Sequence, residues 1–123
     1  MGLTLTRFCP GQPLRVGAVG LGSGTVAAYG RPGDYYRFYE INPAVIQIAQ
    51  QTFTYLKNSK ARVEIVSGDA RLMLEQELRH GKKRQFDLLV VDAFSSDAIP
   101  VHLLTRECFA IYRQHLAPDG LLL

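Results

Sequence analysis

Val16-Gly17-Ala18-Val19-Gly20-Leu21-Gly22-Ser23-Gly24, with Thr25 to Tyr29 behind it, is the stretch that decides the fold. Val16 to Val19 is a short apolar run ending in glycines, which reads as a buried strand. Thr25 to Tyr29 is a short helical stretch, closed by Gly30, Pro32 and Gly33. Gly20, Gly22 and Gly24 therefore fall in a strand-to-helix turn. Glycines there let the backbone pass close under a ligand and adopt dihedrals that side chains forbid. The helix that follows offers free N–H groups at its positive end. Many tight turns use glycines without binding anything, so the functional reading rests on what surrounds them.

Outward from this turn the chain alternates strand-like and helix-like pieces. Tyr35 to Ile41 is aromatic and β-prone, a second strand. Asn42 followed by Pro43 is a helix start, a side-chain cap with proline in the first turn. The helix is expected from Pro43 to about Leu56, with Val45, Ile48, Ala49, Thr52, Phe53 and Leu56 at three- and four-residue spacing. Arg62 to Val66 is a third strand, stopped by Ser67-Gly68, and Ala70 to His80 is a helix with Leu72, Leu74 and Leu78 available for burial. Phe86 to Val91 is apolar throughout except for Asp87, as in a central parallel strand covered on both faces. Residues 92–102 form a loop, and Thr105 to Leu116 is a helix presenting Phe109, Tyr112 and Leu116. Pro118-Asp119-Gly120 then turns the chain into Leu121 to Leu123, which reads as a fifth strand starting.

The pattern is α/β: a doubly wound, mainly parallel sheet with crossover helices. Residues 15–123 make the domain, and residues 1–14, broken by Pro10, Gly11 and Pro13, are an irregular lead-in. A doubly wound sheet that stops in mid-strand reads as an excised piece, truncated after the fifth strand.

Composition narrows the function. One domain fits in 123 residues, and 47% apolar with 20% charged residues is ordinary for a globular protein. Disorder, a collagen-like fibre and a disulfide miniprotein are excluded. A net charge of +3, from 14 basic and 11 acidic residues, is too mild to argue for nucleic acid. The basic cluster Arg79 to Arg84 around Gly81 reads as a solvated turn. Cys9 and Cys108 have no partner at metal-ligand or CxxC spacing, and His80, His102 and His115 do not form a metal set. Cys108, among Phe109, Ile111 and Tyr112, reads as a small buried hydrophobe. A reducing, cytoplasmic compartment suits both thiols. No apolar run approaches the ~20 residues of a membrane span.

Acidic residues recur at strand ends. Glu40 closes the second strand 20 residues after Gly20, where nucleotide-binding α/β folds place an acid for ribose hydroxyls. Asp69, in Ser67-Gly68-Asp69-Ala70, follows the third strand and can equally cap the helix from Ala70. After the fourth strand comes Asp92-Ala93-Phe94-Ser95-Ser96-Asp97-Ala98-Ile99-Pro100. Asp92 and Asp97 suit a cationic amine, holding an ammonium group and accepting its proton, or else the segment is a capped turn. His102 either touches a substrate or lies on a loop surface. Tyr35 and Tyr36 read as packing residues, and Tyr39, beside Glu40, is the one placed to flank a nucleoside.

In the G-x-G-x-x-G register the last position is Thr25, so the turn is not of the dinucleotide type. The G-x-G-x-G form with an acid after the second strand resembles class I S-adenosylmethionine-dependent methyltransferases and their Rossmann-like relatives. Together with Glu40-Ile41-Asn42, Gly68-Asp69-Ala70, the Asp92 to Pro100 loop and Leu116-Ala117-Pro118-Asp119-Gly120, residues 15–123 resemble the spermidine synthases, the polyamine aminopropyltransferases. That resemblance implies S-adenosylmethionine or its decarboxylated form as co-substrate, no metal, a small-molecule amine such as putrescine as acceptor, and a homo-oligomer. By the same resemblance, Gly20, Gly22 and Gly24 line the sulfonium side and Glu40 holds the ribose. Asp69 lies near the adenine amino group, and Asp92 and Asp97 lie near the reacting amine as catalytic residues. The chain departs from the family in carrying Ser23 where the glycine turn usually has an aspartate, and Asn42 where a second acid is common. Ala93 and Phe94 lengthen the acidic loop, and the family's amino-terminal β-domain is absent. A methyltransferase using the same pocket and a non-catalytic nucleotide-binding domain are the alternatives.

Overall fold

The computed structural model describes residues 11–22, 24–92 and 100–123. Cys9, Ser23 and Asp97 lie outside the described residues. Five strands, β1 (Arg15–Val19), β2 (Tyr35–Glu40), β3 (Arg62–Ser67), β4 (Phe86–Val91) and β5 (Leu116–Leu122), form a sheet in the order β3-β2-β1-β4-β5. Every pairing is parallel. The helices are α1 (Pro43–Gln51), α2 (Ala70–Arg79) and α3 (Arg106–His115), with 3-10 turns at Thr25–Tyr29 and Val101–Leu103. The chain steps outward from β1 to β3, then returns to lay β4 on the other side of β1. Strand order reverses there, which makes the end of β1 the topological switch point of a doubly wound sheet.

Alternation along the central strands sends side chains to two separate cores. On one face Val16, Ala18, Tyr36, Phe38, Leu88 and Val90 pack with Ala49 and the partly buried Val45, Ile46 and Leu56. On the other, Val19, Tyr39, Phe86 and Leu89 pack with Ala70 and Leu74 of α2 and Cys108, Ile111 and Tyr112 of α3. Cys108 is thus the small buried hydrophobe expected, and burial raises its thiol pKa. The lead-in joins the sheet before Arg15: Leu14 is buried, donates its N–H to Asp34 Oδ1 at 2.8 Å and accepts from Tyr35 N–H at 2.8 Å.

The helix faces differ from the periodicity. α1 stops at Gln51 rather than Leu56, its last turn closed by Thr52 N–H on Ile48 O at 2.8 Å. Thr52 to Tyr55 are β-branched or aromatic and lose side-chain freedom in a helix. The buried side of α1 uses Val45, Ile46 and Ala49, while Ile48 and Phe53 are exposed and Phe53 stacks on Tyr55. In α2, Leu72 points to solvent, and Ala70, Leu74 and Glu77 face inward.

Pro118-Asp119-Gly120 is not a turn ahead of a strand. β5 begins at Leu116, directly after α3, and these residues bulge out of it. Phe86 pairs with Leu116 and Leu88 with Leu121, so Asp87 alone faces the stretch from Ala117 to Gly120. A bulge tolerates the missing N–H of proline. Gly120 is needed because a Cβ there would lie 2.5 Å from Phe86 O.

A charged network is buried between β2 and α2. Glu77 Oε1 meets Arg37 Nη2 at 2.6 Å and Arg84 Nη2 at 3.0 Å, and Tyr39 donates its hydroxyl to Oε2 at 2.9 Å. Arg37 also reaches Glu64 at 2.7 Å. Arg84 is therefore not in a solvated turn: its side chain is 20% exposed and tied to Glu77. Burial alone would raise the Glu77 carboxyl, but hydrogen bonds from Arg84, Arg37 and Tyr39 outweigh it and hold the pKa below the usual range. Beside this network His115 is fully buried, accepting Arg84 N–H at Nδ1 (3.2 Å) and donating from Nε2 to Leu74 O (2.8 Å).

Two outcomes follow from these burials. Glu77→Ala leaves Arg84 without its carboxylate and Arg37 with Glu64 alone, and should cost about 3 kcal/mol, read from urea unfolding midpoints. His115 has its pKa lowered by burial. The unfolded chain, titrating near 6.5, then binds more protons than the folded one below that pH. Stability should be full above about pH 6.5 and fall as pH drops toward the folded pKa, and His115→Gln should flatten that slope below about pH 6.5.

Candidate functional site

The carboxyl ends of β1 to β4 meet at the switch point. After β1 the backbone turns through Gly20 (φ 99°), Gly22 (φ 55°) and Gly24 (φ 81°). All three are in the left-handed region that L side chains disfavour, so the glycines are required by the turn itself. Gly20 donates its N–H to Tyr39 O at 2.8 Å, and Gly24 donates to Leu21 O at 2.9 Å. The stretch beyond is a 3-10 turn of five residues in place of a longer helix.

Glu40 ends β2 with its carboxylate fixed by two backbone donors. Oε1 accepts Leu21 N–H from the glycine turn at 3.1 Å, and Oε2 accepts Asn42 N–H at 3.0 Å. Each oxygen retains further acceptor capacity. Asn42 is the cap expected, its Oδ1 accepting Ala44 N–H at 3.0 Å. β3 leaves the sheet through Gly68, whose N–H donates to Glu40 O at 2.8 Å.

Asp69 follows, and it is the helix cap that the sequence offered as one of its two readings. Oδ1 accepts Leu72 N–H at 3.2 Å and caps α2, while Oδ2 lies 2.7 Å from His102 Nε2. Arg71, in the first turn of α2, donates to His102 O at 3.2 Å and to Thr105 Oγ1 at 3.3 Å. The turn Val101–Leu103 is thereby clipped to the head of α2. Sequence reasoning offered His102 as a substrate contact or a loop-surface residue and did not find its partner, which is 33 positions away and brought to it by the strand order.

Asp92 closes β4, its N–H donating to Val19 O at 2.9 Å and its side chain exposed. These ends border a cleft of about 720 Å³, lined by Gly20, Gly22, Glu40, Asp69, Asp92 and His102, with the Tyr39 ring and Leu103 as apolar wall. Gly24 is not among the lining residues; a side chain there would strike Leu56 at 2.9 Å. A hollow of about 790 Å³ lies at the opposite, amino ends of the strands, lined by Arg15, Arg62, Glu64 and Arg84. Its charges are largely paired within the protein, as Arg62 with Glu64 at 2.8 Å, and it lies away from the strand ends where such sheets bind ligands. Among the described residues no group of three His, Cys, Asp or Glu side chains could hold a metal ion. No helix among them is long and apolar enough to cross a membrane.

No family model matches the chain. It is 35% identical over 114 residues to a polyamine aminopropyltransferase of Vibrio vulnificus, covering 90% of this chain and 37% of that one. It is 31% identical over 105 residues to the N-terminal histidine N-methyltransferase of Emericella nidulans, 85% of this chain and 18% of that enzyme. Its fold superposes on a probable spermidine synthase from Corynebacterium glutamicum with a TM-score of 0.73 and 25% identity, over 89% of this chain and 38% of that one. The likeness to spermidine synthases carried by the motifs thus holds in sequence and in fold, and the sheet is the methyltransferase-like one. The chain spans little more than a third of the aminopropyltransferase and of the synthase.

The double duty of Asp69 is open to measurement. Asp69→Ala removes the α2 cap and should cost about 1 kcal/mol in urea unfolding, whereas Asp69→Asn, an equally good cap, should stay close to the parent.

Proposed function

We propose that residues 15–123 are the nucleotide-binding core of a spermidine synthase-like transferase. The cleft takes decarboxylated S-adenosylmethionine, or S-adenosylmethionine itself, and an aminopropyl group passes to a small-molecule amine such as putrescine. The observation that carries this reading is the meeting of the glycine turn, Glu40, Asp69 and Asp92 in one cleft of ligand size.

Each residue has a task suited to its geometry. Glu40, fixed by Leu21 and Asn42, presents acceptors to a pair of vicinal ribose hydroxyls. Asp69 offers an acceptor to the adenine amino group, and the bare backbone at Gly20 and Gly22 lets the sulfonium side approach. Asp92, exposed at the mouth, attracts the ammonium form of the acceptor. Asp97, on the same connection, joins it in this proposal. In the reaction the neutral amine nitrogen attacks the carbon beside the sulfonium. The carbon–sulfur bond breaks with its electrons going to sulfur, and 5′-methylthioadenosine leaves. The protein contributes mainly by positioning. Self-association of the chain and a cytoplasmic setting belong to the same proposal.

The likeness to a histidine N-methyltransferase supports a second reading, in which the same cleft passes a methyl group to an amine. Calorimetry and product analysis with both forms of the sulfonium compound separate the two, since only aminopropyl transfer releases 5′-methylthioadenosine.

Glu40→Ala should weaken adenosyl binding by about 1.5–3 kcal/mol while cooperative melting persists. Unchanged affinity in a folded variant would remove Glu40 from the site. Asp92→Asn in the full-length protein should lower kcat/KM for the amine about ten- to a hundredfold, the scale of one charged hydrogen bond, and leave adenosyl affinity alone.

A further inference from the structure

We propose that His102, oriented by Asp69, is the proton acceptor for the amine nucleophile in this cleft. The proposal rests on the transfer reading above and gives to His102 the proton transfer that the sequence offered to Asp92 and Asp97. An ammonium must lose a proton before its nitrogen can attack. Proton transfer is most efficient to a group whose charge changes near the working pH. Imidazole belongs to the class that titrates near 6.5. Among the described residues lining the cleft, His102 is the one such group.

Its geometry suits the task. An ionised carboxylate only accepts hydrogen bonds, so Asp69 Oδ2 at 2.7 Å requires the proton on Nε2. The lone pair is then on Nδ1, for which no partner occurs among the described residues. A carboxylate behind an imidazole fixes its tautomer and ring direction and favours the imidazolium once formed. The backbone is held as well, since Arg71 donates to His102 O at 3.2 Å and Leu103 is buried beneath. A histidine serving only as a surface residue needs neither restraint. The charged groups at this end are Asp69 at the cap of α2, Arg71 in its first turn, Glu40 at the end of β2 and Asp92 after β4. Asp92 draws the ammonium in, and His102 takes its proton. Nδ1 forms its N–H bond as the ammonium N–H breaks; the freed lone pair then attacks carbon, the carbon–sulfur bond breaks, and the imidazolium returns the proton to solvent.

The test uses the full-length protein, decarboxylated S-adenosylmethionine and putrescine, with 5′-methylthioadenosine formation followed across pH. His102→Gln keeps a donor for Asp69 but cannot take a proton. It should lower kcat by about 10²–10⁴ and abolish the acidic limb of the rate profile, with adenosyl affinity by calorimetry within a few-fold of the parent. His102→Gly should be equally slow and partly restored by added imidazole. A structural clip would instead be rescued by glutamine and ignore imidazole. Full rate and an unchanged profile in His102→Gln would overturn the role of His102 alone. A parent protein that binds the adenosyl compound yet transfers to no amine would overturn this proposal together with the reading beneath it.

Discussion

The register of β1 between its two parallel neighbours is the constraint on which the rest depends. Val19 stands opposite Tyr39 on one side and Val91 on the other, and Glu40 stands opposite Ser67. β1, β3 and β4 then each leave the sheet through one more hydrogen bond of the same kind: Gly20 N–H to Tyr39 O, Gly68 N–H to Glu40 O, Asp92 N–H to Val19 O. Those bonds bring the glycine turn, Glu40, Asp69 and Asp92 to one level. A slip of one residue in any ladder would send that strand's side chains to the opposite face, exchanging the sets that the two cores are packed around, so core packing and site geometry are enforced together.

The same coupling runs beneath the cleft. Tyr39 lines its wall and donates to Glu77, which Arg37 and Arg84 hold from β2 and from the connection to β4. Buried ion pairs contribute little net stability against apolar residues of similar size, but a charge left without its partner is costly. The network thus penalises any displacement of α2 against β2 more than it stabilises the right one. Because Asp69 is the first cap of α2, fixing that helix fixes the carboxylate at its head and, through it, His102.

Much of this was legible in the sequence, for identifiable reasons. A parallel strand buried on both faces is a continuous apolar run, so Val16 to Val19 and Phe86 to Val91 declare themselves without partners. Acids at strand ends are equally local, and Gly20, Gly22, Glu40, Asp69 and Asp92 do line one cleft. What failed was what depends on distant neighbours. Phe53 keeps helical spacing yet is exposed because α1 ends before it, and Ile48, inside α1, lies off the side that Val45, Ile46 and Ala49 bury. Arg84 looks like one cation in a basic run until Glu77 is placed beside it. Pro118-Asp119-Gly120 has turn composition, but sits opposite Asp87 as a bulge because α3 delivers the chain to β4 with residues to spare.

The glycine turn shows where the local signal is ambiguous and how packing resolves it. Gly24 is demanded twice over by the fold, through its positive φ and through Leu56, which would collide with any Cβ. Nothing about a ligand is needed to explain it. Gly22 shares the backbone requirement, but a Cβ there meets no protein atom within 4 Å. Its missing side chain therefore relieves no crowding inside the protein. It leaves a strip of bare backbone on the wall of a cleft whose acidic lining groups, Glu40 and Asp69, already have their carboxylates fixed by backbone amides. Ordering those side chains in advance removes an entropic cost that a ligand would otherwise bear on binding. The crowded glycine belongs to the scaffold and the uncrowded one to the cleft.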